Sequence, residues 1–223
     1  MQVKICGMTD PDNMQAVARL QPGYLGFIFY ADSPRDVTEK IGTLNIKSLP
    51  AAIKRVAVLV NEELEQAKAM VRRYGFDAVQ LHGEETPAYC RSMQECAMVI
   101  KALPVANELP DDLHSFKGCC DMLLFENASA QRGGSGLKFD HSLLLSYDAG
   151  IPFLLGGGIG PGDAPAMRKL AGKNKWFAGV DLNSRFEAAA GIKDVNLLSD
   201  FIKDLNRNFH NNCFDTHGYE HKR

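Results

Sequence analysis

The sequence predicts an α/β protein in which eight parallel strands close into a (β/α)₈ barrel, and three observations lead to this prediction. Eight short apolar segments recur along the chain, and amphipathic segments separate them. The apolar segments are continuous rather than alternating, which is typical of strands buried on both faces of a parallel sheet. The 223 residues divide into eight units of about 28 residues, near the length of a βαβ unit and at the short end for such barrels. A doubly wound open sheet is the alternative.

The helical segments between the strands differ in how clearly the sequence marks them. Asp10-Pro11 fits a helix start, because a carboxylate caps free N–H groups and proline suits the first helical position. Segments 62–74 and 194–209 carry apolar residues at helical spacing. In the fifth unit, 103–110 is rich in proline, so we expect a loop or a degenerate helix there. The predicted strands are 3–6, 24–29, 55–60, 78–81, 98–102, 122–125, 152–155 and 177–181.

This order of elements predicts one catalytic domain over residues 1–209, followed by a polar, frayed tail at 210–223. A net charge of −2, from 25 basic and 27 acidic residues, argues against a general binder of nucleic acid or of anionic membranes. No apolar run approaches the roughly 20 residues that span a bilayer. The six cysteines show neither CxxC nor zinc spacing, so we expect no metal. No signal peptide is recognisable at the start, which predicts a cytoplasmic protein.

Polar or reactive residues follow six of the eight predicted strands. In a (β/α)₈ barrel the carboxyl ends of the strands form one rim, and the chemistry takes place there. The joint placement of these residues therefore predicts a single site at that rim. They are Cys6 after the first strand, Arg35 after the second, His82 after the fourth, Glu126 after the sixth, Gly156, Gly157 and Gly158 after the seventh, and Asp181 with Asn183 and Ser184 after the eighth.

Each of these side chains has a chemical and a structural interpretation. Cys6 is a base or nucleophile if its pKa is lowered, and otherwise a small apolar residue. Glu126 leaves a buried strand, which suits a general acid with a raised pKa, and its alternative role is a rim salt bridge. Arg35 offers a planar fork for a carboxylate or phosphate, unless it is a solvated loop residue. His82 is either a catalytic imidazole or a structural hydrogen-bonding group. Asp181 orients a hydroxyl or amine, or caps a short helix.

Two loops at the rim, one of them glycine-rich, predict a phosphate site. Gly156-Gly157-Gly158 follows a strand and precedes a helix, so its N–H groups can approach an anion closely. In these barrels the loops after strands seven and eight, with a short extra helix, commonly bind phosphate. Asn183-Ser184 fits the start of that helix. A further glycine-rich stretch, 132–136, is either a loop that closes over substrate or a plain linker.

Six segments of the chain together resemble the phosphoribosylanthranilate isomerase family, in family order from residue 3 to about residue 205. The resemblance implies a (β/α)₈ barrel of tryptophan biosynthesis that carries out an Amadori rearrangement of a phosphosugar–anthranilate substrate, with no cofactor and no metal. The segments are Lys4-Ile5-Cys6-Gly7-Met8-Thr9, 25–30 with Ser33-Pro34-Arg35, Val79-Gln80-Leu81-His82-Gly83, 133–136 with Phe139-Asp140, Gly156-Gly157-Gly158, and Gly179-Val180-Asp181-Leu182-Asn183-Ser184.

The resemblance also implies a role for each rim residue. Cys6 corresponds to the general base of the family, and the carboxylic acid that ends strand six, here Glu126, to the general acid. Arg35 would hold the anthranilate carboxylate, and His82 and Asp181 would contact the substrate. The phosphate would bind to the backbone of the remaining loop residues, which are Gly157, Gly158, Asn183 and Ser184.

Three positions depart from the family pattern. Glu126 replaces the usual aspartate, Asn127 replaces threonine, and His141 replaces a tryptophan. The alternative to an active isomerase is therefore a phosphate-binding barrel with impaired catalysis. Another phosphosugar enzyme fits less well. The synthase of this pathway needs a catalytic lysine at a strand end, and we predict no lysine there beside the other functional residues. The expected partner is a small molecule, without nucleic acid or membrane, and the sequence leaves both a monomer and a homodimer open.

Overall fold

Eight parallel strands close into a barrel in the computed structural model of this chain, which describes residues 1–128 and 138–207. Each strand pairs with the next in sequence, and the last strand pairs with the first, so the barrel is closed and the predicted fold class is confirmed. The strands are β1 (Gln2–Ile5), β2 (Tyr24–Phe29), β3 (Lys54–Leu59), β4 (Ala78–Leu81), β5 (Met98–Val105), β6 (Met122–Asn127), β7 (Phe153–Leu155) and β8 (Phe177–Leu182).

Five α-helices pack around the barrel in the described part of the chain. They are α1 (Pro11–Ala18), α2 (Leu64–Tyr74), α3 (Pro87–Met93), α4 (Ala164–Ala171) and α5 (Val195–Asn206). The fifth unit has only the 3₁₀ helix Leu113–Phe116, which confirms the degenerate helix there. Units two and six also show only 3₁₀ helices within the described ranges, at Ile41–Thr43, Ile46–Ser48 and His141–Ser146.

The helix starts follow the capping signals of the sequence. Asp10 accepts a hydrogen bond from Asn13 N at 2.7 Å, so α1 begins at Pro11 as predicted. Asp194 accepts from Leu197 N at 3.0 Å and caps α5. A side-chain oxygen at this position satisfies one of the N–H groups that a first helical turn leaves without a partner.

Strand β5 is longer than the sequence predicts, because Leu103, Pro104 and Val105 continue it along β6. The expectation of a loop or helix at these residues is therefore wrong. Val105 O accepts from Ala128 N on the β6 side, so the backbone of Pro104 faces the other neighbour, β4. Strand β4 has already ended at Leu81. Proline is tolerated there because no ladder hydrogen bond is lost.

The barrel interior changes from apolar to polar along its axis. A central layer of buried side chains fills the interior, and a larger apolar layer lies between the strands and the helices. Cys6 belongs to a separate small cluster with Ile28 and Val58, nearer the carboxyl ends of the strands. The central layer consists of Tyr24, Val56, Ala78, Ile100, Ala102, Met122, Leu124 and Leu154.

Two earlier expectations concern residues outside this description. The 132–136 loop and the 210–223 tail both lie outside the described ranges, so their predicted behaviour stays a prediction. None of the helices described is at once long and apolar enough to cross a bilayer.

Candidate active site

The rim at the carboxyl ends of the strands carries the predicted reactive side chains. Cys6 directly follows β1, and His82 directly follows β4. Glu126 and Asp181 are the last residues but one of β6 and β8. Since β8 pairs with β1, Asp181 lies beside Lys4. Around the barrel, β8 lies between β1, which precedes Cys6, and the β6–β7 pair, which carries Glu126 on β6.

Cys6 occupies a tight, buried position. Its exposed fraction is 4%, and a Cβ atom placed on Gly26 of the neighbouring β2 would lie 2.8 Å from Cys6 Sγ. The thiol therefore requires glycine opposite it. Burial raises the pKa of Cys6, and the ammonium groups of Lys4 and Lys193 act against that rise. The resting side chain is a thiol, surrounded by cations that favour its ionisation.

Lys4 is a site residue that the sequence analysis missed. Its side chain is fully buried, and its Nζ donates to Asp181 Oδ1 at 2.9 Å. Burial lowers the pKa of Lys4, but the Asp181 carboxylate and Cys6 outweigh burial and leave that pKa raised. The ammonium is therefore charged beneath Cys6. The signal was present, because residues i and i+2 of a strand face the same side.

Glu126 and His82 form a second polar pair on the rim. Glu126 Oε1 contacts His82 Nε2, while His82 Nδ1 lies 3.0 Å from Gln80 Nε2. With Gln80 assigned as the donor, Nδ1 is the acceptor and Nε2 carries the proton that points to Glu126. Gln80 is 1% exposed, and among the described residues its Oε1 has no hydrogen-bond partner. His82 was predicted to contact substrate; here its ring contacts the acid.

Arg35 lies at the rim in a buried ion pair rather than in solvent. Its Nε donates to Glu187 Oε1 at 2.8 Å, and its Nη2 donates to Glu187 Oε2 at 2.6 Å. These hydrogen bonds raise the pKa of Arg35. Glu187 begins a short hairpin after β8, formed by β9 (Glu187–Ala189) and β10 (Ile192–Lys193), which the sequence analysis did not foresee.

The two predicted phosphate loops adopt backbones suited to close approach. Gly157 and Gly158 have φ values of +72° and +74°, which side chains with a Cβ rarely adopt. A Cβ on Gly157 would lie 2.6 Å from Asn127 N, so this loop packs against the end of β6 that carries Glu126. In the other loop, Asn183 precedes the 3₁₀ helix Ser184–Phe186, at the place where the sequence predicts a short extra helix.

The described residues do not suggest a metal centre. Among them, no group of three or more histidine, cysteine, aspartate or glutamate side chains is arranged to hold a metal ion. The groups that converge at the rim are a thiol, carboxyl groups, an imidazole and cations. Such a set can bind an anionic organic molecule and can donate and accept protons.

Comparison with known proteins gives one consistent result. The family model for N-(5′-phosphoribosyl)anthranilate (PRA) isomerase matches residues 3–204. The N-(5′-phosphoribosyl)anthranilate isomerase of Parabacteroides distasonis is 39% identical over 211 residues, which are 92% of this chain and 93% of that protein. The protein of the same name from Phocaeicola vulgatus is 37% identical over 209 residues, covering 92% of this chain and 98% of its own.

Solved structures agree with the sequence relatives. Monomers of the dimeric phosphoribosylanthranilate isomerase of Thermotoga maritima match with a TM-score of 0.76 and 31% identity, covering 93% of this chain and 99% of theirs. A phosphoribosyl anthranilate isomerase in complex with reduced 1-(o-carboxyphenylamino)-1-deoxyribulose 5-phosphate matches with a TM-score of 0.74 and 30% identity, at the same coverage of 93% and 99%.

Proposed function

The chain belongs to the N-(5′-phosphoribosyl)anthranilate isomerase family, and we propose that Cys6 is the base and Glu126 the acid of its reaction. The enzyme converts N-(5′-phosphoribosyl)anthranilate to 1-(2-carboxyphenylamino)-1-deoxyribulose 5-phosphate, a step of tryptophan biosynthesis. The observation that carries this function is the match to the family along residues 3–204. The roles of individual residues rest on their positions at the rim.

The reaction needs one proton donor and one proton acceptor. Glu126 gives a proton to the ring oxygen of the furanose as the C1–O bond breaks, and the ring opens to a Schiff base. Cys6, as thiolate, then removes the proton from C2. The electron pair of that C–H bond forms the C1–C2 double bond of an enolamine, while the π pair of the C1–N double bond moves to the nitrogen. The enolamine tautomerises to the ketone of the product. Proton transfers by such positioned groups contribute about 10²–10⁴-fold each to the rate.

The surroundings of Cys6 support its role as base. The charged Lys4 lies beside it, and the Lys4–Asp181 pair at 2.9 Å holds that charge in place. A buried thiol without a nearby cation would ionise far less readily. Asp181 also lies near Glu126 and His82, so it connects the two halves of the site. In this proposal it orients the sugar hydroxyls of the substrate between base and acid.

Two anionic groups of the substrate need binding sites at the same rim. We assign the anthranilate carboxylate to Arg35, whose guanidinium is buried and fixed in orientation by Glu187. We assign the phosphate to the backbone of Gly157, Gly158, Asn183 and Ser184. The two glycines have positive φ values and carry no Cβ, so an anion can approach their N–H groups closely. His82 contacts Glu126 and is assigned to the acid side of the site.

Partners and location follow from the same assignment. The chain acts on a small molecule, and a solved relative was crystallised with a reduced phosphosugar of this type. We propose that the enzyme works in the cytoplasm. We also propose a homodimer, which is supported by the dimeric relative of Thermotoga maritima. Sedimentation equilibrium of the purified chain tests the homodimer, and a single species at the mass of one chain contradicts a homodimer.

The decisive test of function is the loss of substrate fluorescence when the purified chain meets freshly made phosphoribosylanthranilate. The active isomerase consumes the substrate at a rate proportional to enzyme concentration. The alternative, a phosphate-binding barrel with impaired catalysis, binds the reduced product analogue tightly and shows no turnover. The comparisons favour the active enzyme, because the family match runs along nearly the whole chain.

A further inference from the structure

The β9–β10 hairpin carries two buried charged residues that exchange no proton with the substrate in the proposed reaction. The side chain of Lys193 is 0% exposed and that of Glu187 is 5% exposed. Burial of ions in a protein interior costs several kcal/mol each unless partners compensate. Residues of this kind in a short hairpin at the edge of an active site therefore need an explanation.

The two residues form a continuous chain of contacts from Arg35 to Asn183. Glu187 accepts two hydrogen bonds from the Arg35 guanidinium. Lys193 Nζ donates to Glu187 Oε1 at 2.6 Å and to Asn183 Oδ1 at 2.7 Å. Glu187 and Lys193 thus link the group assigned to the substrate carboxylate with the loop assigned to the phosphate.

The backbone of the hairpin is itself fixed to the first unit of the barrel. Asn13 donates from Nδ2 to Lys193 O at 2.9 Å and accepts from Lys193 N at 2.8 Å. Thr9 Oγ1 donates to Gly191 O at 3.0 Å. The hairpin is therefore attached to the loop after β1 and to α1, and its charged side chains project from a rigid base.

The charges of this cluster do not balance. Arg35 and Lys193 are two cationic groups against the one carboxylate of Glu187, although burial lowers the pKa of Lys193 and Glu187 only acts against that fall. Although burial raises the pKa of Glu187, Arg35 and Lys193 outweigh burial and leave that pKa lowered, so the carboxylate is ionised. An anion bound beside the cluster therefore meets two cationic groups and one carboxylate, which favours its binding.

We propose that Glu187 and Lys193 are positioning residues that set the two anion-binding groups of the site at a fixed separation. Glu187 aligns Arg35 for the carboxylate of the substrate, and Lys193 holds Asn183 at the phosphate loop. This inference rests on the proposed function, since it takes the substrate to carry both anions. These two residues thereby favour molecules whose carboxylate and phosphate are separated as in the phosphosugar–anthranilate substrate.

Three probes separate positioning from a merely structural role. The first is the reduced 1-(o-carboxyphenylamino)-1-deoxyribulose 5-phosphate that binds a solved relative. The second lacks its carboxylate, and the third lacks its phosphate. The ratio of dissociation constants between the second probe and the first measures the carboxylate contribution. The ratio between the third and the first measures the phosphate contribution. Calorimetry on the full chain gives all three constants.

Each variant should reduce one ratio. Glu187→Gln removes the carboxylate that aligns Arg35, so the carboxylate ratio falls about tenfold, as expected when a charge-assisted pair loses its geometry. Lys193→Met leaves the Arg35–Glu187 pair intact and releases Asn183, so the phosphate ratio falls about tenfold while the carboxylate ratio stays near the wild-type value. Glu187→Asp keeps the charge but shortens the reach to Arg35. It replaces Glu187→Gln in the measurement of the carboxylate ratio if Glu187→Gln does not fold.

The matched controls are exposed residues of the same types. Glu65→Gln on α2 and Lys203→Met on α5 should leave both ratios unchanged. If Glu187 and Lys193 only brace the fold, all three probes weaken by the same factor in the variants and both ratios stay constant, which overturns the inference. A wild-type chain that neither binds the first probe nor consumes the substrate contradicts the proposed function instead.

Discussion

Glu126 of β6 contacts His82, the residue after β4, through Glu126 Oε1 and the ring Nε2 of His82. The family pattern has an aspartate at this position, and glutamate extends about 1.5 Å further, enough to change a rate on the order of 10²-fold if nothing compensates. The imidazole is such a compensation, because it holds the longer acid from one side. Gln80, at 3.0 Å from His82 Nδ1, orients the ring in turn. We propose that these contacts adapt the site to glutamate.

The first prediction concerns the length of the acid. Glu126→Asp should lower kcat about tenfold or more, because the shorter carboxyl group loses its contact with His82 and moves away from the ring oxygen. Glu126→Gln, which cannot donate a carboxylic proton, should lower kcat at least about tenfold as well. Steady-state assays by substrate fluorescence measure both. A higher kcat for Glu126→Asp than for the wild type would support the alternative of an impaired barrel.

The second prediction concerns the base. Cys6→Ala should lower kcat by about 10²–10⁴-fold with little change in binding of the product analogue, because only proton removal is lost. Cys90→Ala is the matched control: Cys90 is also buried, its pKa is raised to about 11 by burial, and it lies on α3. Equal activity losses in the two variants would show that any buried thiol is needed only for packing.

The third prediction concerns pH. Burial raises the pKa of Cys6 above its ordinary value of 9.0, so the thiolate is a minor species at neutral pH. In Glu126→Gln, in which no acid has to stay protonated, the residual kcat/KM should therefore rise about tenfold per pH unit through neutral pH, in proportion to the thiolate fraction. Lys4→Met removes a cation that lowers this pKa, so the ascending limb should move to higher pH.

The control for the pH experiment is Lys40→Met, which removes an exposed lysine. Its pH profile should match the wild type. A kcat/KM of Glu126→Gln that does not change between pH 6 and pH 8, within about a factor of two, would show that thiolate formation does not limit the reaction.

The fourth prediction concerns the space opposite the base. In Gly26→Ala the new Cβ would lie 2.8 Å from Cys6 Sγ and 3.2 Å from Cys6 Cα, so the thiol must shift. A displacement of about 1 Å should lower kcat about 10²-fold. Gly42→Ala, whose Cβ meets nothing within 4 Å, should keep wild-type activity. Full activity of Gly26→Ala at an unchanged melting temperature would contradict a tightly placed base.

The fifth prediction concerns stability. Lys101 and Glu85 form a buried ion pair at 2.8 Å beneath the loop that carries His82. Glu85→Gln leaves the ammonium without a counter-charge and should lower the free energy of unfolding by about 3 kcal/mol at pH 7, measured with urea. Glu39→Gln, at an exposed position, should change it by less than about 0.5 kcal/mol.

The same pair fixes the sign of a pH effect. Burial raises the pKa of Glu85, but Lys101 and the backbone N–H donors outweigh burial and leave it below 4.5. The stabilisation is therefore present above pH 4.5 and is lost as pH falls through the folded-state pKa. The stability difference between the wild type and Glu85→Gln should shrink below pH 4.5. A difference that stays constant there would show that the carboxylate is not the source.

Local signals predicted much of the fold. The apolar segments located all eight strands, the cap at Asp10 located the start of α1, and apolar residues at helical spacing located α5. The extension of β5 through Pro104 was not predictable in this way, since it depends on β4 ending before that point. Proline in a strand is read as a break until the neighbouring strand is known.

Strand periodicity and the position of a residue after a strand are local properties. The amino-acid sequence alone therefore predicted the barrel, its rim and the reactive residues there. Only the tertiary structure decided which of those residues meet. Lys4 on Asp181, His82 on Glu126, and Arg35 bound through Glu187 to Lys193 are contacts between segments distant in sequence or on separate strands. Such contacts depend on barrel closure and on the charge balance of a buried space, and neither is written in any one segment of the chain.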